Sequence, residues 1–441
     1  MDPEDVEALL ALLARAGDMD PDDADYQRIE QAAAHLRKTA KKRRRSARRR
    51  ATAAHDRAVL AATALARHQD GRSSPDAAAD ASDEADAPTS RRRDRICYVC
   101  KGRYRTPHAW YPSLCAPCGD RSLHERDLVF DATGRRALVT GGRIKVGHAT
   151  ALALLRAGAE VHVTTRYPHD AARRFAQEPD ADTLRERLVI HGLDFRRLDH
   201  VLGWLDGLAQ EEPFDIVVNN AAQTVWRAPE AVAALVRDEA VPAPHGYAVN
   251  RVDAAATSEH ALDAATTLPD VLGGPLPLDL HRRHSWVARL EDVDPVEMIE
   301  VQVVNAVVPF LIVQKLHGSL LRSPHADRYV INVTAVEGQF ARPGKSERHP
   351  HTNMAKAALN MLTCTSAQDL VRDGIHMVAV DPGWMSHEGP PEAVSRAYEE
   401  GFRPPLEARD CAARVLDPIK RGLAGAPIHG VLLKDFDVVP W

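Results

Sequence analysis

Arg136-Ala137-Leu138-Val139-Thr140-Gly141-Gly142-Arg143-Ile144-Lys145-Val146-Gly147 decides the fold. Arg136 to Thr140 is an apolar run of strand length that breaks into glycines, and His148 to Ala157 continues as an apolar helical segment. Strand, glycine turn and helix together form the context in which such a loop takes a dinucleotide. The helix start offers free N–H groups and a positive dipole end to the pyrophosphate. Ala159 to Thr165 supplies a second strand and closes the first βαβ unit. Apolar strands then alternate with amphipathic helices. The fold class is α/β, a Rossmann-type doubly wound parallel sheet.

The end of the second strand chooses the cofactor. A carboxylate there would accept from the ribose 2′-OH, but this chain has Thr165 followed by Arg166. A guanidinium pairs with a 2′-phosphate that a carboxylate would repel, so NADP(H) is favoured over NAD(H), with Arg143 of the glycine loop adding to the preference.

With these residues in place, the last 310 or so residues resemble the short-chain dehydrogenases/reductases. Thr140 to Gly147 is similar to that family's TGxxxGxG loop, with Gly141 and Gly147 at glycine positions. Asp194 resembles its adenine-contacting aspartate, and Asn219-Asn220-Ala221-Ala222 its NNAG motif. Asn305 takes the place of the helix asparagine, Asn332-Val333-Thr334-Ala335 that of NxSS, Lys356 that of the lysine in YxxxK, and Pro382-Gly383, with Ser386 nearby, that of the PG pair beside the nicotinamide. The resemblance implies a seven-stranded parallel sheet, frequent homo-oligomers and a small-molecule carbonyl or alcohol substrate. It also implies that Lys356 holds the nicotinamide ribose.

Three departures stand out. Lys145 replaces the middle glycine, either to meet a cofactor phosphate or to point to solvent. Ala335 replaces the catalytic serine. Thr352 stands where the family has its tyrosine acid/base, and an aliphatic hydroxyl has no accessible pKa. His351 and His349 are the nearest groups with a suitable pKa, and each reads equally well as an ordinary loop or helix-cap histidine. Between Asn220 and Asn305 the chain is longer than the family pattern. The excess, 227–284, follows the fourth strand's carboxyl end, where a lid or partner surface is expected.

Outward from this domain (131–441), residues 96–130 hold Cys97-Tyr98-Val99-Cys100 and Cys115-Ala116-Pro117-Cys118. Two CxxC pairs at this separation suit a four-cysteine structural zinc module, with Cys97, Cys100, Cys115 and Cys118 as ligands. His108 and His124 offer themselves as substitutes for a cysteine, but read first as surface or interface residues. Residues 71–95, rich in Ala, Asp, Ser and Pro, read as a disordered linker whose acidic side chains screen the basic run upstream. Residues 1–70 read as a helical basic region. Its run Lys41 to Arg50 fits either a nucleic-acid or acidic-protein patch or a solvated helix face, and the lack of aromatics favours the latter. The acidic start is unlike a signal peptide, no apolar run of about 18 residues is read, and cysteines with metal-ligand spacing suit a reducing compartment. The expected setting is therefore cytoplasmic, with no membrane contact. The functional expectation is an NADP(H)-dependent oxidoreductase with altered acid/base residues, or else a catalytically silent NADP(H)-binding sensor or scaffold.

Overall fold

The computed structural model describes residues 2–70, 89–127, 129–224, 229–252, 284–342 and 344–441. The chain divides into two compact units, one comprising 1–97 with 101–115 and the other 98–100 with 116–441. Residues 71–88 of the expected linker lie outside the described residues.

In the first unit, α1 (Pro3–Ala16) starts where sequence chemistry puts it: Asp2 accepts from the Glu4 N–H, and Pro3 fills the first helical position. Asp23 caps α2 (Ala24–Ala61) in the same way. The helical stretch is broken before α3 (Ala64–Gln69). The basic run Lys41 to Arg50 lies wholly within α2 and is exposed along its whole length. Residues 90–92, expected as linker, are tied to this helix, with the Arg92 N–H donating to Asp56 at 2.6 Å. The strands β1 (Arg95–Ile96) and β2 (Arg103–Tyr104) pair antiparallel.

The second unit is built on a nine-stranded sheet. Its strands are β3 (Arg136–Thr140), β4 (Glu160–Thr165), β5 (Leu188–Gly192), β6 (Ile216–Asn219), β7 (Ala248–Arg251), β8 (Arg328–Val333), β9 (Ile375–Asp381), β10 (Leu432–Lys434) and β11 (Asp437–Val439). Their order is β11-β10-β9-β8-β6-β3-β4-β5-β7, parallel throughout except for the β10–β11 hairpin. The central strands are buried on both faces, which is why they read as unbroken apolar runs. The helices of eight residues or more are α4 (Ala116–Arg126), α5 (Lys145–Arg156), α6 (Pro168–Phe175), α7 (Leu198–Leu208), α8 (Pro229–Glu239), α9 (Pro295–Gln302), α10 (Val308–Arg322), α11 (Pro350–Leu370), α12 (Pro391–Glu399) and α13 (Ala408–Leu423). One apolar core joins the sheet to α5, α6 and α13; a second joins it to α7 and α10.

One expectation is corrected. Among the described residues the sheet has nine strands rather than seven, because the inserted segment contributes β7 and the last residues contribute β11. In the described part of the 227–284 insertion, where a lid or partner surface was expected, α8 precedes β7, and β7 extends the sheet edge beyond β5. Glu239, fully buried at the end of α8, accepts from the His169 and Asp170 N–H groups and so caps α6. Residues 227–228 and 253–283 of that segment lie outside the described residues. A third point concerns Pro295–Arg322. With α9, a π-helical link and α10 joined, it is long and apolar enough to cross a membrane by length and composition, although the sequence reading finds no such run. Gln302, Asn305 and Lys315 interrupt the apolar pattern when it is read along the chain, and the helix packs its apolar face into the core.

Candidate functional site

The strand order reverses at β3, with β4 on one side and β6 on the other, so a crevice opens at the carboxyl ends of these strands. The glycine loop lines it, and the structure shows why these glycines are needed. Gly141 sits at φ +70°, where a Cβ would lie 2.9 Å from Ala221 Cα. A Cβ on Gly142 would meet Val163 at 2.6 Å, and one on Gly147 would lie 2.2 Å from the Gly141 carbonyl oxygen. Asn220 staples the loop from β6: its Nδ2 donates to the Thr140 carbonyl at 2.8 Å, while Thr140 Oγ1 accepts from the N–H groups of Asn220 and Ala221.

Lys145 adopts φ +54°, the left-handed conformation that glycine takes without cost. Its Nζ pairs with Glu388 Oε1 at 2.5 Å and reaches Ser386 Oγ at 3.2 Å. The lysine therefore joins the glycine loop to the segment following β9, an arrangement that neither reading of Lys145 anticipated.

At the end of β4 the guanidinium carbons of Arg143 and Arg166 lie 5.2 and 5.6 Å from the Tyr167 ring centroid, so two cations converge on the position expected from the sequence to select the cofactor. Arg143 also pairs with Asp170 at 2.6 Å, a carboxylate shared with Arg174. Burial alone would raise the Asp170 pKa, but these two arginines hold it below the usual carboxylate range. Asp194 behaves alike: burial opposes its charge, and Arg196, aided by Arg166, keeps it ionised. Arg196 donates to Asp194 at 2.6 Å and to Glu300 at 3.3 Å.

Across the crevice, Asn305 sits in the π-helical turn Val303–Val307, a distortion often found at functional sites. Its side chain clasps the backbone of Gln223, accepting from the N–H at 2.7 Å and donating to the carbonyl at 3.0 Å. Lys356 on α11 is buried, with Nζ donating to the Val333 carbonyl at 2.8 Å. Burial lowers its pKa to about 8 against the pull of Glu337 and Asp381. Pro382-Gly383 follows directly on β9, with Gly383 at φ +90° and its N–H on Asp381 Oδ1.

No family model matches the chain. Over 347 residues it is 32% identical to uncharacterized protein R665 of Acanthamoeba polyphaga mimivirus, an alignment covering 74% of this chain and 71% of that one. A 92-residue stretch is 41% identical to a probable oxidoreductase of Streptomyces lividans, covering 21% and 30% of the two chains. Over 130 residues it is 27% identical to dehydrogenase/reductase SDR family member 12 of Homo sapiens, covering 29% and 38%. The solved NADP complex of Pseudomonas aeruginosa RhlG aligns with 69% of this chain and 95% of its own, at 21% identity and a TM-score of 0.47. Stretches of the chain are thus similar to a named short-chain dehydrogenase/reductase and to a probable oxidoreductase, each over less than half of that relative's length.

Set against the short-chain dehydrogenase/reductase motifs that the sequence resembles, the reaction end is unusual. Thr352 is buried on α11 one helical turn before Lys356, and among the described residues its Oγ1 has no hydrogen-bond partner. His351 is also buried, but its ring faces α9, with Nε2 3.4 Å from Glu297 Oε1. His349 caps α11 in a left-handed conformation and stacks on Trp286, ring centroids 4.4 Å apart. Burial lowers its pKa. Glu337, in the turn after β8 and two residues beyond Ala335, is the acid that sequence reading passed over. Burial and the charge of Asp381 raise its pKa, and it interacts with Lys356. That turn is pressed onto α11, since a Cβ on Gly338 would lie 2.7 Å from the Lys356 carbonyl. Its signal was an acidic residue in the segment where the family has its serine.

The four cysteines come together as their spacing predicts. Their sulfurs all lie within 4.8 Å of one another. A tetrahedral zinc–thiolate site, with Zn–S bonds of about 2.3 Å, needs sulfur separations of roughly 3.8 Å, so the donor set fits. Cys97 and Cys100 flank the β1–β2 turn, Lys101 takes a left-handed φ of 61°, and the Cys115 N–H points at Cys97 Sγ at 3.5 Å. Cys115 directly precedes α4, and Cys118 lies in its first turn, where the helix dipole favours thiolate. His108 does not take a cysteine's part: its Nδ1 accepts from the Trp110 N–H.

Proposed function

We propose that this chain is an NADP(H)-dependent oxidoreductase acting on a carbonyl or alcohol, and that Lys356, not a tyrosine, handles the proton. The observation that carries this reading is the buried Lys356 ammonium, with a pKa lowered to about 8 and with Glu337 and Asp381 nearby, at the carboxyl end of the sheet. A proton donor works best when its pKa lies near the working pH. The residues present fit the dinucleotide. The loop from Gly141 to Gly147 and the start of α5 would hold the pyrophosphate, Arg143 and Arg166 the 2′-phosphate, and Asp194 the adenine end. Lys356 and Pro382-Gly383 would hold the nicotinamide end. The nicotinamide, when bound, supplies or accepts the hydride. In reduction Lys356 gives its proton to the substrate oxygen and regains one from solvent; in oxidation the proton moves the other way. Glu337 and Asp381 stabilise the ammonium, and Asn305 fixes the neighbouring backbone through Gln223. We further propose a structural zinc ion at the four cysteines, which supports folding rather than chemistry.

A second reading, an NADP(H)-binding protein without turnover, draws on Ala335 and Thr352, where the family has serine and tyrosine. A panel of carbonyls with NADPH and alcohols with NADP⁺ decides between them. Turnover that Lys356→Met abolishes supports the enzyme; saturable NADPH binding with no turnover across the panel supports the silent reading.

A further inference from the structure

Tyr98 lies between two zinc-type ligands, Cys97 and Cys100, yet its side chain belongs with the Rossmann unit. A Cβ built on Gly383 would lie 3.4 Å from the Tyr98 hydroxyl and 2.5 Å from Leu406 Cδ1, so the phenol end packs against the Pro382-Gly383 loop. Two further groups fix this corner. Lys434 Nζ lies 5.9 Å from the Tyr98 ring centroid and pairs with Asp381 Oδ2 at 2.5 Å. The other Asp381 oxygen accepts from the Gly383 N–H at 2.9 Å. Arg414, 1% exposed, donates to Asp435 at 3.1 Å, and its Nε would lie 3.8 Å from a Gly383 Cβ.

The helix α4, which carries Cys118 in its first turn, is welded to the same corner. Ser122 accepts from Arg414, Glu125 pairs with Lys420 at 2.8 Å, Arg126 with Glu407, and Arg121 with Asp437 at 2.8 Å. The Phe436 ring has Arg414 at 4.8 Å and Arg121 at 5.6 Å from its centroid. These contacts hold α4 in place whatever the first cysteine pair does. The turn that carries Tyr98 runs directly between the thiolates of Cys97 and Cys100. A metal bound by both would fix its backbone, and with it the ring.

We infer that Tyr98 is a positioning residue: it braces the Pro382-Gly383 loop, so that metal bound by the four cysteines sets how tightly the nicotinamide end of the cofactor is held. This inference rests on the NADP(H) reading above.

The test uses the metal-loaded full chain and two probes: NADPH, and 2′,5′-ADP, which keeps the adenosine and 2′-phosphate but lacks the nicotinamide. In Tyr98→Ala, NADPH affinity is expected to fall about tenfold, the equivalent of roughly 1.4 kcal/mol, while 2′,5′-ADP affinity changes less than about twofold. Chelating the metal from unmutated protein with its thiols kept reduced should give the same split. Tyr98→Phe, which keeps the ring, should stay close to wild type. If both probes weaken in parallel, Tyr98 serves only the general fold and the inference is overturned. Unchanged NADPH binding in metal-free protein overturns it too, and needs no variant to fold. Wild-type protein that binds neither probe would instead overturn the NADP(H) reading itself.

Discussion

The two sides of the crevice have been treated differently. On the β3–β6 side the glycine loop is tightly constrained: Gly141, Gly142 and Gly147 stand where no Cβ fits, and Asn220 staples the loop, although Lys145 replaces the middle glycine of the motif it resembles. On the β8–α11 side only Asn305 and Lys356 remain, and Ala335 and Thr352 occupy the serine and tyrosine positions. Removing tyrosine takes away a phenol whose pKa a neighbouring lysine can tune. What is left is a lysine whose own pKa has moved to about 8, with a raised-pKa acid, Glu337, beside it. On the proposed reading, cofactor binding and proton transfer are separable in this chain, because they rest on different residues.

The comparison can be broken most severely at Lys356. Lys356→Met should lower turnover by about 10²- to 10⁴-fold, the usual worth of a general acid/base, measured as NADPH consumption at 340 nm. His351→Ala should change it by less than about threefold, because that ring faces Glu297. A collapse in His351→Ala would return the proton to the histidine. On the binding side, Gly147→Ala forces a methyl to within 2.2 Å of the Gly141 carbonyl oxygen. Overpacking of about 1–3 kcal/mol corresponds to roughly 10- to 100-fold weaker NADPH binding by calorimetry.

Arg166→Asp sharpens the contrast within the cofactor itself. It should weaken NADPH about tenfold and leave NADH the better ligand, because the new carboxylate repels the 2′-phosphate. Tighter NADH than NADPH binding by the unmutated protein would contradict the reading of Arg143 and Arg166. The smallest effect is expected from Lys145→Gly. It relieves a left-handed non-glycine residue and loses a partly exposed ion pair with Glu388, so thermal unfolding should show a net gain of about 1 kcal/mol or less.

How far the sequence could be read follows from the range of each interaction. The glycine loop and its flanking strand and helix are local, so Arg136 to Ala157 reads correctly as a unit. The four cysteines are also legible, because CxxC spacing is itself a geometric statement about one ion. Three features depended on contacts distant in sequence. Lys145 meets Glu388 across more than 240 positions. Glu239 of the insertion caps a helix that begins 71 residues earlier, at Pro168, a contact that sequence distance hides. Tyr98 reaches Gly383, and nothing in CYVC distinguishes that tyrosine from a surface residue. Glu337 was missed for a different reason: it occupies no family motif position, and only its burial next to Lys356 makes it significant.

The measurement that tests the central claim most directly is the pH dependence of Lys356 modification by an amine-selective acylating reagent, read by peptide mass spectrometry with and without NADP⁺. A buried lysine with its pKa lowered to about 8 should show a reactivity midpoint near pH 8, and NADP⁺ should protect it. A midpoint in the ordinary lysine range near 10.4, with no protection by NADP⁺, would contradict the account.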